Sequence, residues 1–146
     1  MSWGVKASFR DYLLHAADGA ITATGGAEVG PNHMPSWPLL TVAGETLTFG
    51  GAVRFVAHYG MLDFEIDRPR IERTSNGARL TTAFGDQQTV IAEMTLDRRE
   101  QGQEGSFYIG ENVTLTEAGN VMFGGAYGGG SVMDPLIIAL NGAWAT

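Results

Sequence analysis

A mostly β domain, with antiparallel sheets in a sandwich-like arrangement and one helix near the N-terminus, is the fold class this sequence predicts. Three observations carry it. Apolar residues recur at every second position in at least four separate runs, the pattern of a half-buried strand. Glycine supplies 21 of the 146 residues, about twice the usual share. The glycines follow no G-X-Y period, which excludes collagen and fits a chain rich in turns. Only one segment, at the start, has a clear helical signature.

That segment, Lys6 to Ala17, consists of good helix formers and closes at Asp18-Gly19. Phe9, Leu13 and Ala16 form its apolar stripe, and Ser8 and Tyr12, four apart, share the face beside it. After Gly19 the period changes to two. Ile21 and Ala23 alternate with Thr22 and Thr24. Val53, Phe55 and Ala57 alternate with Arg54, Val56 and His58. Leu62, Phe64 and Ile66 alternate with Asp63, Glu65 and Asp67, and Val90, Ala92, Met94 and Leu96 repeat the pattern. Between these runs, Gly30 to Pro38, with three prolines, predicts an irregular loop. Tyr59-Gly60 predicts a turn, and Ser75-Asn76-Gly77 a type I′ hairpin turn between Ile71 and Leu80. Gln101 to Gly105 is a polar loop tip. In Thr116 to Gly130, Phe123 and Tyr127 are helically spaced but glycines interrupt them, so any second helix near 116–127 is short or distorted. Pro135 opens a last strand, Leu136 to Leu140. No repeat or linker divides the chain, and a single domain over 1–146 is expected.

Composition removes several function classes. Nine Lys and Arg against sixteen Asp and Glu give a net charge of −7. Such a field repels polyphosphates, and no basic patch opposes it, so nucleic acid is not an expected partner. Cysteine is absent, which excludes disulfides, thiolate metal sites and covalent haem attachment through a CxxCH motif. No apolar run approaches the roughly 18 residues of a membrane-spanning helix. The opening residues lack the charged and apolar regions of a secretory signal, so the expected setting is either the cytoplasm or a domain cut from a longer secreted chain.

The common catalytic motifs are missing: there is no P-loop, HExxH, GxSxG or CxxC. Gly124-Gly125 and Gly128-Gly129-Gly130 lack the strand–glycine–helix context and the lysine of a phosphate cradle, and read as loop geometry. Asp63, Glu65 and Asp67 alternate on one strand face, as a solvated outer face does, not as a glycosidase pair. Of the three histidines, His15 follows Tyr12 on the helix and His33 sits in a proline-rich loop. His58 ends an apolar strand just before a turn. Its ordinary role there is a structural hydrogen bond, but strand ends also form pocket rims.

Taken as ordered phrases, the chain resembles the HtaA (haem transport-associated) domain of actinobacterial haem-uptake proteins. Trp3-Gly4-Val5-Lys6-Ala7-Ser8-Phe9-Arg10-Asp11-Tyr12 resembles the family's opening, and Gly51-Ala52-Val53-Arg54-Phe55-Val56-Ala57-His58 a second block. Leu62 to Pro69 resembles a strand ending in proline. Leu115-Thr116-Glu117-Ala118-Gly119, Phe123, Tyr127 and Asp134-Pro135 resemble the C-terminal pattern. The resemblance covers nearly the whole chain.

That resemblance implies non-covalent binding and transfer of ferric haem b in haem and iron uptake, without catalysis. It implies Tyr12 as the axial ligand of the haem iron and His58 as its support. A phenolate is a hard donor that suits ferric iron, and an imidazole sharing the phenol proton strengthens it. Ser8 and Tyr127 are then candidates to reach haem propionates, and Phe9, Met61 and Phe123 to wall the macrocycle. The ordinary alternatives are a helix serine, a loop aromatic and plain core packing. Met94 is the nearest counterpart of a methionine the family uses in mid-domain, although its alternating strand places it in the core. Expected partners are haem, other haem-uptake proteins or a haemoprotein donor. The family setting is the cell surface or secretion. A monomer or a homodimer is expected, the latter through the apolar last strand and an exposed Trp144. Two other functions compete: a haem-free adhesion or scaffold module, and a haem-dependent peroxidase or catalase-like enzyme.

Overall fold

The computed structural model describes residues 1–100, 105–125, 127–140 and 144. Its elements are β1 (Ser2–Trp3), α1 (Ala7–His15), β2 (Ala20–Thr24), β3 (Glu28–Val29), β4 (Pro35–Ser36), β5 (Leu39–Ala43), β6 (Thr46–Phe49) and β7 (Ala52–Ala57). They continue with β8 (Leu62–Asp67), β9 (Arg70–Thr74), β10 (Gly77–Phe84), β11 (Gln87–Glu100), β12 (Ser106–Leu115), α2 (Glu117–Met122) and β13 (Leu136–Leu140). The strand pairings are antiparallel, as the alternation predicts. The two sheets are very unequal. Ten strands form one curled sheet in the order β3-β4-β1-β13-β12-β11-β10-β9-β6-β5, and β2-β7-β8 form the other.

Period-two patterning sets which face goes inside. Val53, Phe55 and Ala57 of β7 and Phe64 and Ile66 of β8 are buried, whereas Arg54, Asp63 and Glu65 between them are exposed. The turn at Ser75-Asn76 places Ile71 opposite Leu80, and the turn at 58–61 places Ala57 opposite Leu62. Between Gly30 and Pro38, where the sequence suggests only a loop, β4 forms a short pair with β3, which precedes it. Beyond them Trp37 is buried and donates its indole N–H to the Ile66 carbonyl at 3.1 Å. The loop tip expected at Gln101 to Gly105 lies outside the described residues except for Gly105.

The first helix is shorter than the segment from Lys6 to Ala17. It stops at His15 because Ala16 is extended and Asp18 takes a left-handed conformation (φ 54°), turning the chain into β2. Phe9 and Leu13 point into the core. Arg10 ties the helix down by donating to the Gly4 carbonyl (2.7 Å) and pairing with the Asp134 carboxylate (3.4 Å).

The alternation in β11 is broken by a bulge. Leu80 pairs with Ala92 and Thr81 with Val90, leaving Ile91 as the extra residue. Ile91 is fully buried, and its carbonyl accepts from Thr116 N–H at 3.0 Å. Thr116 then caps α2, its hydroxyl accepting from Gly119 N–H at 3.0 Å. The short second helix is therefore real. Gly119 is packed so closely that a Cβ there would strike the Ile91 carbonyl. Alanine is the better helix former by about 1 kcal/mol, but the clash wins: Gly119→Ala should lower the urea midpoint, with a loss of roughly 1–3 kcal/mol.

Trp144 corrects an expectation. It is 2% exposed rather than open to a partner. Its indole N–H donates to the Gly44 carbonyl at 2.9 Å and the Arg73 guanidinium lies 4.1 Å over its ring. An indole docked on its own chain offers no dimer surface. Nor is β13 a free edge: it lies between β12 and β1, with Leu136, Ile138 and Leu140 turned inward.

Candidate functional site

A cleft of about 700 Å³ opens between α1, the end of β7 and the segment after α2. Phe9, Tyr12, His58, Met61, Phe123 and Tyr127 line it, together with Leu62 and Gly124. Its floor is aromatic. The Phe9 ring lies 5.6 Å from Phe123 and 6.1 Å from Tyr127, and Phe123 meets Phe64 edge-on at 4.5 Å. The polar side chains among its lining residues are Tyr12, His58 and Tyr127, and the rest of the lining is apolar, the composition typical of a small-molecule site.

Tyr12 and His58, 46 positions apart, are joined by a hydrogen bond between the phenol oxygen and the imidazole Nε2. Helix α1 supplies the tyrosine from its outer flank, where it is 52% exposed. The histidine is aimed by an unusual turn. His58 and Tyr59, neither of them glycine, both adopt left-handed conformations (φ 54° and 56°), followed by Gly60 at 88°. Each such residue costs on the order of 1 kcal/mol and persists only when its surroundings demand it. Here His58 N–H donates to the Ala17 carbonyl at 2.8 Å, tying the strand end to the end of the tyrosine's helix.

Tyr127 is placed by its own backbone. Asn120 accepts from the N–H of Tyr127 at 3.1 Å and of Gly128 at 2.7 Å, and the Ser131 hydroxyl donates to the Tyr127 carbonyl. The glycines around it serve this tight loop. Burial, and secondly the nearby Tyr12 phenol, push the Tyr127 hydroxyl above its usual range, so it remains a protonated donor. Lys6 Nζ lies 5.3 Å over the Tyr127 ring. The rim thus carries one phenol coupled to an imidazole and, apart from it, a phenol donor beside an ammonium group.

The site brings together Tyr12, His58, Phe9, Met61, Phe123 and Tyr127. Met61 stands at the lip, largely exposed. Ser8 is exposed and does not line the cleft. His15 turns to the Asp11 carbonyl (2.8 Å), His33 lies in the β3–β4 turn, and Met94 is buried. Lys6 is the residue the sequence reading missed. It stands in the opening phrase of the chain, and only its distance to Tyr127 marks it out. Among the described residues no three His, Asp or Glu side chains converge as they would around a bare metal ion.

Fold and cleft together define a β-sheet domain with an aromatic slot whose lip carries a phenol joined to an imidazole. The family model HtaA matches residues 1–139, and the chain belongs to the HtaA family. Among solved structures, the C-terminal domain of HtaA from Corynebacterium glutamicum superposes with a TM-score of 0.73 at 24% identity, covering 93% of this chain and 90% of that one. The heme binding protein HtaB from the same organism gives 0.72 at 20% identity, covering 94% and 89%. A domain-swapped dimeric variant of the HtaA C-terminal domain gives 0.66 at 21%, covering 97% and 94%. No curated protein sequence matches the chain.

Proposed function

We propose that this chain binds one ferric haem b non-covalently and passes it on in haem uptake, with the Tyr12 phenolate as iron ligand. The observation that carries this reading is the Tyr12–His58 hydrogen bond at the lip of the aromatic cleft. A lone oxygen donor cannot cage a bare ion, but it can complete the coordination of an iron that brings its own four equatorial nitrogens. The cleft supplies apolar walls for a planar ring. Lys6 and the protonated Tyr127 supply a cation and a hydroxyl donor for propionate carboxylates. Family membership supports the same reading, as does the likeness to a protein described as a heme binding protein. His58 is the histidine that lines the cleft, and it is already engaged with Tyr12. Among the described residues no second imidazole lines the cleft to serve as a peroxidase acid–base group, which favours carriage over catalysis.

Haemin titrated into the purified chain should give saturable, one-to-one binding and a high-spin ferric spectrum with a phenolate charge-transfer band. Linear, unsaturable uptake would favour the haem-free scaffold. His58→Ala should keep that band and lose haem to apomyoglobin about 10–100-fold more readily, the usual cost of removing a ligand's hydrogen-bond partner. Binding at a phenolate expels the proton that the phenol–imidazole pair otherwise holds, so retention should also fall as the solution is acidified. Equal transfer from wild type and His58→Ala at every pH would return His58 to a purely structural role.

A further inference from the structure

A second, larger cleft of about 790 Å³ lies between β8 and the β10–β11 hairpin, and it shares no lining residue with the first. We infer that it takes an extended, basic segment of a partner protein as an added strand beside β8.

The backbone of β8 argues for this. Strand β8 is the edge of its sheet, pairing with β7 alone. At its end, Asp67 N–H donates to Thr82 Oγ1 (2.8 Å) and the Thr82 hydroxyl donates back to the Asp67 carbonyl (3.2 Å). The main-chain groups of Asp67 therefore point away from β7. Alternation turns those of Asp63 and Glu65 the same way. Two N–H and two C=O groups consequently face the cleft, and no described residue bonds them. The opposite bank is apolar: Phe84 and Val121 are 75% and 73% exposed there. A strand laid between the banks would turn alternate side chains to the apolar wall and to the β8 carboxylates.

Charge decides the occupant. Asp63 is already taken by Arg54, which forms two hydrogen bonds to it at 2.8 and 2.6 Å. Asp67 is paired with Arg68 at 3.3 Å, which leaves the exposed Glu65 as the carboxylate the edge offers, on a chain of net charge −7. A second copy of this chain would set acidic edge against acidic edge, the usual guard against self-pairing. The same charges attract a strand that alternates lysine or arginine with apolar residues. Recognition would follow strand addition, in which backbone bonds give affinity and alternate side chains give choice.

The test uses the full chain and a capped peptide of about seven residues alternating Lys and Val, followed by calorimetry and amide exchange. Saturable binding with slowed exchange at Asp63 and Glu65 is expected. Glu65→Pro removes an outward N–H without touching the β7 ladder, and Glu65→Lys reverses the charge; each should weaken binding about tenfold or more. If the proline variant fails to fold, Glu65→Lys decides. No saturable binding overturns the proposal. So does equal binding of a peptide of the same length and charge in which a central valine is replaced by proline, which means charge attraction only. Dimers of the chain itself that vanish in Glu65→Pro would overturn it in favour of self-pairing.

Discussion

Tyr12→Phe should leave the fold intact and abolish the phenolate charge-transfer band of the haemin complex. The phenylalanine keeps the ring and its packing and deletes only the oxygen, and Tyr12 stands half-exposed on the flank of α1, so stability changes little. The loss of affinity should exceed the roughly 100-fold that bounds removal of a ligand's supporting partner. Haemin absorption and EPR, beside a urea unfolding curve, separate the two quantities. An unchanged spectrum would show that Tyr12 is not the ligand and would turn attention to Tyr127 or Tyr59.

Phe9→Ala should do the reverse, striking the fold first. Phe9 is buried, and its ring meets Phe55, Phe64, Phe123 and Tyr127 at centroid distances of 5.6–6.1 Å. Truncating a buried phenylalanine costs roughly 3–5 kcal/mol, because neighbours fixed on separate strands and helices close the void only in part. For a chain of this size that lowers the midpoint of thermal unfolding on the order of 10 °C. Calorimetry on the haem-free chain measures it, and a shift of only a degree or two would mean that the aromatic floor does not hold the sheets together. The contrast between the two variants matters. Under the proposed function Tyr12 would act on the haem, whereas Phe9 carries the slot in which it would lie.

Much of the architecture follows from local rules. Alternation locates the inward faces of β7 and β8, and a two-residue turn at Ser75-Asn76 sets the register of β9 against β10, although neither residue has the positive φ of the expected type I′ turn. Other features depend on distant neighbours. No pattern within β11 marks Ile91 as the bulge, because the bulge answers to Thr116 on another segment. Nothing in His58-Tyr59-Gly60 except the glycine announces three left-handed residues in succession. Trp144 lies against Gly44, a hundred positions away, so its exposure was not to be read from its neighbours. The pairing of Tyr12 with His58 follows from likeness to a family rather than from periodicity, and their side chains share a hydrogen bond.

The bulge at Ile91 also sets an arithmetic for how this chain can change length. Ala92 and Met94 are opposite Leu80 and Ala78, but on the other side of the bulge Thr89 is opposite Thr82, so the inward positions of β11 switch from even to odd. A residue gained or lost elsewhere in the strand would reverse that parity and turn an inward set of side chains outward. Loss of Ile91 itself would leave both halves in step. It would, however, withdraw the carbonyl on which Thr116 hangs, and with it the helix that carries the chain on to Phe123 and Tyr127. One unpaired residue in the large sheet thus keeps the count for the cleft on the far side of α2.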